Sequence, residues 1–303
     1  MPSTNPTFLN NNTPLLSASY CNANYRVIQG LADNNKCVIF FSGNALYYPN
    51  TEDCFRKTVL YKDRYEWAAV SSVILEYVSR VILVRDIKKS WYVDGISDIY
   101  DTVNKTVDLL RELCKGYSVY TYGNSAGGYM AVYAGIKLNA KAVFNWGGQI
   151  DIRGKEIYTQ ENDIIKDALR DPERSSQLDL KAVLKDNEVP VYSFYAADNA
   201  LDQDELKELH DAKNIRIIRF DSDKHGQGFE RDVYVNLIQL SIESLDDLFK
   251  EYEDKKAPVK ETGDKINNSV DPSSRYTEVK EKESVLQKVR HKLGNIKRKM
   301  IKR

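Results

Sequence analysis

Gly123-Asn124-Ser125-Ala126-Gly127 joins a strand-like run to a helix-like run, and this junction constrains the fold more than any other stretch of the chain. Upstream, residues 117–122 (YSVYTY) are aromatic and β-branched, as suits a buried strand. Downstream, residues 129–138 (YMAVYAGIKL) suit a helix, with Gly135 as their one breaker. Where a strand turns this sharply into a helix the two backbones almost touch. The positions two before and two after the Ser must then be small, and Gly123 and Gly127 meet that need while Gly128 adds room. On such a turn the Ser hydroxyl stands above the carboxyl edge of a sheet. The other reading is a Gly-rich turn whose Ser caps the helix. With each of the three fixed residue types near 7% of an average chain, about 0.1 chance matches to the pattern are expected at this length.

The rest of the chain fits the sheet that this junction requires. Residues 37–41 (CVIFF) and 80–84 (RVILV) read as fully buried strands; 25–29, 142–144, 191–195 and 215–220 read as further strands. Between them, 65–78 and 98–114 read as helices, the latter with an apolar stripe of Ile99, Val103, Val107, Leu110 and Cys114; 229–251 reads as one long closing helix. Near-continuous apolar strands alternating with helices predict an α/β class fold, a mostly parallel sheet covered by helices on both faces. Functional residues then gather at the carboxyl ends of strands. Gly43, Asp86, Ser125, Trp146, Asp198 and His225 each follow a predicted strand. The 303 residues suffice for one large domain, assigned here to 21–253. Residues 1–20, rich in Asn, Pro, Ser and Thr, are expected to be disordered. The polar insertion 154–186 is where a small cap over the site can be built, and 254–272 reads as a flexible linker.

A Ser hydroxyl is a poor nucleophile until a base takes its proton. Of three histidines, His210 falls in a charged helical run and His291 in a basic tail, so His225, after the last strand, is the expected base. A carboxylate should fix its tautomer. Asp198 and Asp202 both follow the strand 191–195; Asp202, with Glu205 three residues on, can also be read as a capping box, and Asp151 is a weaker third option. An oxyanion hole needs two backbone N–H groups. One is expected from Ala126, and the other from the Ser42-Gly43-Asn44-Ala45 loop, where Gly43 permits close backbone approach. The loop aromatics Tyr47-Tyr48 and Trp91-Tyr92 are placed where a sugar ring can stack, with Trp91 and Tyr92 taken as substrate-binding candidates; packing is the competing reading.

With these residues in place, RDIKKSWYVDGI (85–96), YGNSAGGYMAVYAG (122–135) and the SDKHG run (222–226) resemble bacterial α/β-hydrolase-fold proteins of capsule and surface-polysaccharide gene clusters, a group that includes meningococcal capsule O-acetyltransferases. The likeness covers roughly residues 25–245. It implies the α/β-hydrolase fold, an acyl-Ser intermediate, acetyl-CoA as acyl-donor substrate with no tightly bound cofactor, and a saccharide hydroxyl as acceptor. An esterase or deacetylase, or a non-catalytic partner in glycan assembly, are the other functions such a chain can serve. The family's Asn-x-x-Asp pattern before a helix matches Asn199 and Asp202, which favours Asp202 over Asp198.

Charge divides the chain. From Ser273 onward eleven Lys/Arg face three Glu, a net +8, so with an overall charge of +0 the rest carries −8. Leu286, Val289, Leu293, Ile296 and Met300 form an apolar stripe in that tail, interrupted by Gly294. A basic amphipathic segment over 273–303 fits an anionic membrane surface, a partner helix or a solvated arm. No nucleic-acid partner is expected. Four cysteines without metal spacing, no long apolar run and no basic, apolar leader at the N-terminus predict a cytoplasmic protein, at most peripheral to the membrane, with no metal site.

Overall fold

In the computed structural model, residues 9, 13–153, 164–209 and 212–270 are described. Eight strands form one sheet: β1 (Tyr25–Gln29), β2 (Lys36–Phe41), β3 (Arg80–Val84), β4 (Ser118–Asn124), β5 (Ala142–Trp146), β6 (Val191–Ala196), β7 (Ile215–Phe220) and β8 (Lys256–Ala257). Their order is β1-β3-β2-β4-β5-β6-β7-β8. Only β1 runs antiparallel to its neighbour; every other pair is parallel. Side chains alternate across a strand, so each strand feeds two cores. Cys37, Ile39 and Phe41 of β2 join Val103, Val107 and Leu110 of the helix Val103–Leu113 and the buried face of the helix Ala126–Lys137. Val38 and Phe40 face the other way, toward the helices Ala68–Ile74, Arg231–Leu237 and Ile242–Glu251. That second core is aromatic: Trp146 stacks on Phe194 with ring centroids 4.9 Å apart and planes 7° off parallel.

The chain leaves β2 toward β3 on one side and passes from β4 through β8 on the other. The sheet's direction of growth therefore reverses between β2 and β4, and a crevice opens at their carboxyl ends. Phe41, the last residue of β2, pairs with Gly123 of β4, which brings Ser42-Gly43-Asn44 beside Ser125.

Several sequence expectations are corrected. Residues 1–20 are not wholly disordered: Pro14–Tyr20 is a helix with Pro at its first turn, and its Leu16 and Tyr20 are buried with Leu46, Tyr47 and Phe55. Residues 254–272 are not a linker over their described length. Lys256–Ala257 pairs with β7, and the helix Val259–Ser269 buries Ile266 in the aromatic core, so the domain runs to Val270. The closing helix is two helices, because the Ser241 hydroxyl accepts the Ser244 N–H and starts a new one. The helix expected from residue 98 begins at Val103, where the Thr102 hydroxyl accepts the Lys105 N–H, and Ile99 is exposed. The described part of 154–186 belongs to the body: Leu178, Leu180 and Leu184 are fully buried, and Gln177 accepts a hydrogen bond from Tyr129. Residues 154–163, His210 and the tail 273–303 lie outside the described residues, and the expectations for them with it.

Candidate active site

Ser125 follows β4 directly and has φ 54° and ψ −122°, a combination that L-residues rarely adopt. Its neighbours explain why it is tolerated. A Cβ on Gly123 would lie 1.9 Å from the Gly127 carbonyl oxygen, and one on Gly127 would lie 2.2 Å from that of Phe41. The turn is thus locked by backbone on both sides. Ser125 does not cap the helix it precedes, which removes the capping alternative. Its N–H donates to the Trp146 carbonyl at 2.8 Å, and its hydroxyl is left for another partner.

That partner is His225. Its Nε2 lies 3.0 Å from Ser125 Oγ, and its Nδ1 lies 2.5 Å from Asp202 Oδ1. His225 sits on the loop after β7, where Gly226 at φ 63° reverses the chain. The Asn124 side-chain amide donates to the Gly226 carbonyl at 3.4 Å, tying the His loop to the elbow. Asp202 lies in the first turn of the helix Ala200–Glu208, fully buried, and its Oδ2 accepts the Ala196 N–H at 2.7 Å. Each carboxylate oxygen therefore has one fixed duty. The capping box does not form: Asn199 is the N-cap, accepting the Leu201 and Asp202 N–H groups, while Glu205 accepts the Ile150 N–H at 2.7 Å.

The other acids are engaged elsewhere. Asp198 is half-exposed and paired with Lys256 at 2.6 Å, and Asp151 pairs with Arg153. Asp86 is buried and accepts the N–H groups of Lys88, Ser90 and Tyr92, so it organises its own loop; burial nonetheless raises its carboxyl above the ordinary range. Trp91 and Tyr92 are not free for stacking on a ligand. Tyr92 is fully buried with its hydroxyl donating to the Ser42 carbonyl at 2.8 Å, and the nearly buried Trp91 ring donates to Gln149 at 2.9 Å. Tyr47 is likewise buried, donating to the Ile87 carbonyl, and Trp146 is a core residue.

Ala126 and Asn44 each open a helix, so their N–H groups have no partner within it. Among the described residues, neither meets an acceptor. Gly43 does allow close approach, since a Cβ there would lie 2.6 Å from the Asn124 carbonyl oxygen. Its N–H, however, is taken: it donates to Glu66 Oε2 at 2.5 Å. Gly43 therefore has no free N–H to offer, whereas the Asn44 N–H next to it meets no acceptor among the described residues. Sequence reasoning missed Glu66 and the tether role of Asn124. Glu66 sits in the polar run Asp63-Arg64-Tyr65-Glu66, where no motif marks it. Among the described residues no group of three His, Cys, Asp or Glu is arranged to hold a metal.

No family model matches the sequence, and no curated protein does. Solved structures do match. The capsule O-acetyltransferase of Neisseria meningitidis serogroup A aligns over 71% of this chain and 91% of its own, at 16% identity and TM-score 0.50. A protein of unknown function from Staphylococcus aureus subsp. aureus Mu50 aligns over 76% and 94%, at 13% identity and TM-score 0.48. The acylaminoacyl peptidase of Pyrococcus horikoshii aligns over 78% of this chain and 41% of its own, at 12% identity and TM-score 0.47. The chain has the α/β-hydrolase fold. At these identities the likeness extends to the fold and no further. Within an α/β-hydrolase fold the order Ser125, Asp202, His225 along the chain is the one its serine enzymes use. A Ser–His–Asp chain beside two unengaged N–H groups has the parts for general-base activation and for holding a developing negative oxygen. Among the described residues no helix is long and apolar enough to cross a membrane.

Proposed function

We propose that this protein is a serine acyl-transfer enzyme, an O-acetyltransferase that carries an acetyl group from acetyl-CoA through Ser125 to a hydroxyl of a bacterial capsular or surface polysaccharide. The observation that carries the reading is the continuous hydrogen-bonded line from Ser125 Oγ through His225 to buried Asp202, with the N–H groups of Ala126 and Asn44 on the Ser125 side. The saccharide acceptor rests on the resemblance of the elbow, the 85–96 loop and the His225 loop. The fold likeness to a capsule O-acetyltransferase agrees with it.

In the first half-reaction Ser125 Oγ attacks the thioester carbonyl while His225 Nε2 takes the hydroxyl proton. The carbonyl oxygen becomes an oxyanion held by the Ala126 and Asn44 N–H groups. Asp202 keeps the proton of His225 on Nδ1 and stabilises the imidazolium. Collapse breaks the C–S bond, and the sulfur leaves with the proton from Nε2. In the second half-reaction a sugar hydroxyl gives its proton to Nε2 and attacks the acetyl-Ser125 ester, and Ser125 recovers its proton as it departs. Water in place of the sugar makes the same machinery an esterase.

The test is intact-protein mass spectrometry after mixing the protein with acetyl-CoA, with Ser125→Ala in parallel. An acetyl adduct on the wild type alone, with release of CoA, is the expected result. No adduct and no CoA release, with Ser125 still labelled by a fluorophosphonate, would assign an esterase with another substrate. Neither acetylation nor labelling would leave a binding protein.

A further inference from the structure

The reaction above gives Glu66 no part, yet its carboxyl is built into the loop that carries Asn44. Glu66 Oε2 accepts the Gly43 N–H at 2.5 Å, and the Glu66 N–H donates to Ser42 Oγ at 3.3 Å. Two consecutive residues of the loop are thereby tied to one residue, Gly43 to its carboxyl and Ser42 to its backbone. The point where Gly43 would carry a Cβ is 3.4 Å from Glu66 Oε2 and 2.6 Å from the carbonyl oxygen of Asn124, so the carboxyl and the elbow flank the same glycine.

The surroundings give the carboxyl little support as an anion. Arg64 is the nearby cation, and it belongs to the same segment. Tyr92, from the loop after β3, and Tyr234, from the helix Arg231–Leu237, feel the Glu66 charge as phenols kept neutral by burial, Tyr234 being pushed up to about 12. Burial outweighs the Gly43 hydrogen bond and Arg64, and raises the Glu66 carboxyl above its ordinary value.

We propose that Glu66 is a positioning residue for the oxyanion-binding loop, and that its ionisation opposes the step that the loop serves. The inference rests on the acyl-transfer reading of Ser125. As a neutral acid, Glu66 accepts the Gly43 N–H through one oxygen and fixes the peptide leading into Asn44 without adding charge. As an anion it makes the same bond but sets a negative charge beside the place where the substrate oxygen becomes negative. A like charge held on the Gly43 N–H, one residue from Asn44, slows the step by roughly tenfold or more. The carboxyl is neutral below its raised pKa and charged above it, so the penalty grows as pH rises.

The experiment measures fluorophosphonate labelling rates of Ser125 across pH for the wild type, Glu66→Gln and Glu66→Leu, with thermal unfolding of each. Phosphonylation also builds negative charge on an oxygen in the hole, so it reports on the same donors. Gln accepts the same N–H and never ionises. The ratio of Glu66→Gln to wild type should climb about tenfold from the acid to the alkaline arm, while Glu66→Leu labels more slowly than Glu66→Gln at every pH. A ratio that is constant across pH, or a folded Glu66→Leu that labels as fast as Glu66→Gln, overturns the inference. Where Glu66→Leu does not fold, the Gln comparison decides alone. A wild type that is unlabelled at every pH overturns the acyl-transfer reading itself, and this inference with it.

Discussion

Asp202→Asn is the sharpest test of the site because the structure dictates which way the new amide must face. Asp202 Oδ2 accepts the Ala196 N–H at 2.7 Å, and this group is fully buried. The amide oxygen of Asn must take that position, since an NH2 there would meet a donor in a place with no water. The NH2 then points at His225 Nδ1 and requires it to be an acceptor. An imidazole with bare Nδ1 carries its proton on Nε2, so it donates toward Ser125 Oγ instead of accepting from it. The base is lost by tautomer, with the geometry intact. The expected loss in acylation rate is about 10³ to 10⁴, or roughly 4–5.5 kcal/mol of activation free energy. Asp198→Asn is the control: it removes only a half-exposed pair with Lys256 and should leave the rate within about twofold of wild type. The assay is the second-order rate of fluorophosphonate labelling by intact mass, with thermal unfolding to show that each variant is folded. A folded Asp202→Asn that labels within tenfold of wild type would falsify the assignment, and so would an equal loss in Asp198→Asn.

Two further outcomes follow from packing. Gly127→Ala puts a methyl 2.2 Å from the Phe41 carbonyl oxygen, a backbone atom that cannot swing aside; it should cost about 3 kcal/mol or more in urea unfolding, and near-wild-type stability would remove the close-approach account of the elbow. Ile266→Ala empties a fully buried position in the aromatic core and should cost about 2–4 kcal/mol, whereas a shift under about 1 kcal/mol would mean that the helix Val259–Ser269 is not part of the cooperative domain.

The elements that were legible in the sequence are those whose signal is local. Strands β2 and β3 are buried on both faces, so their apolar runs mark them without reference to anything distant. The elbow is legible for the same reason: the clashes that demand Gly123 and Gly127 come from residues of the turn itself and of the adjacent strand. What escaped was set by contacts between distant segments. The helix Val259–Ser269 is polar apart from a few buried side chains, and only its packing against the rest of the aromatic core makes it more than a linker. Trp91 and Tyr92 read as ligand-facing because they lie on a loop after a strand. The buried Asp86 carboxylate gathers that loop's N–H groups, however, and both rings are nearly or fully buried.

The choice between Asp198 and Asp202 shows how one missed element hides another. Both acids follow β6, and only the Asn-x-x-Asp pattern of Asn199 and Asp202, taken from the resemblance, separates them in the sequence. Asn199 caps the helix, which puts Asp202 at its third position, and helical side chains lean toward the N-terminus, here back to the end of β6 and the His225 loop. Asp198, one residue before the cap, is held by Lys256 instead. Lys256 belongs to β8, inside the stretch whose composition reads as a linker. A reader without β8 sees Asp198 as an unclaimed carboxylate at a strand end, the position a functional acid should hold. With β8 in place, that carboxylate is spoken for, and Asp202 is left as the acid with an oxygen aimed at His225.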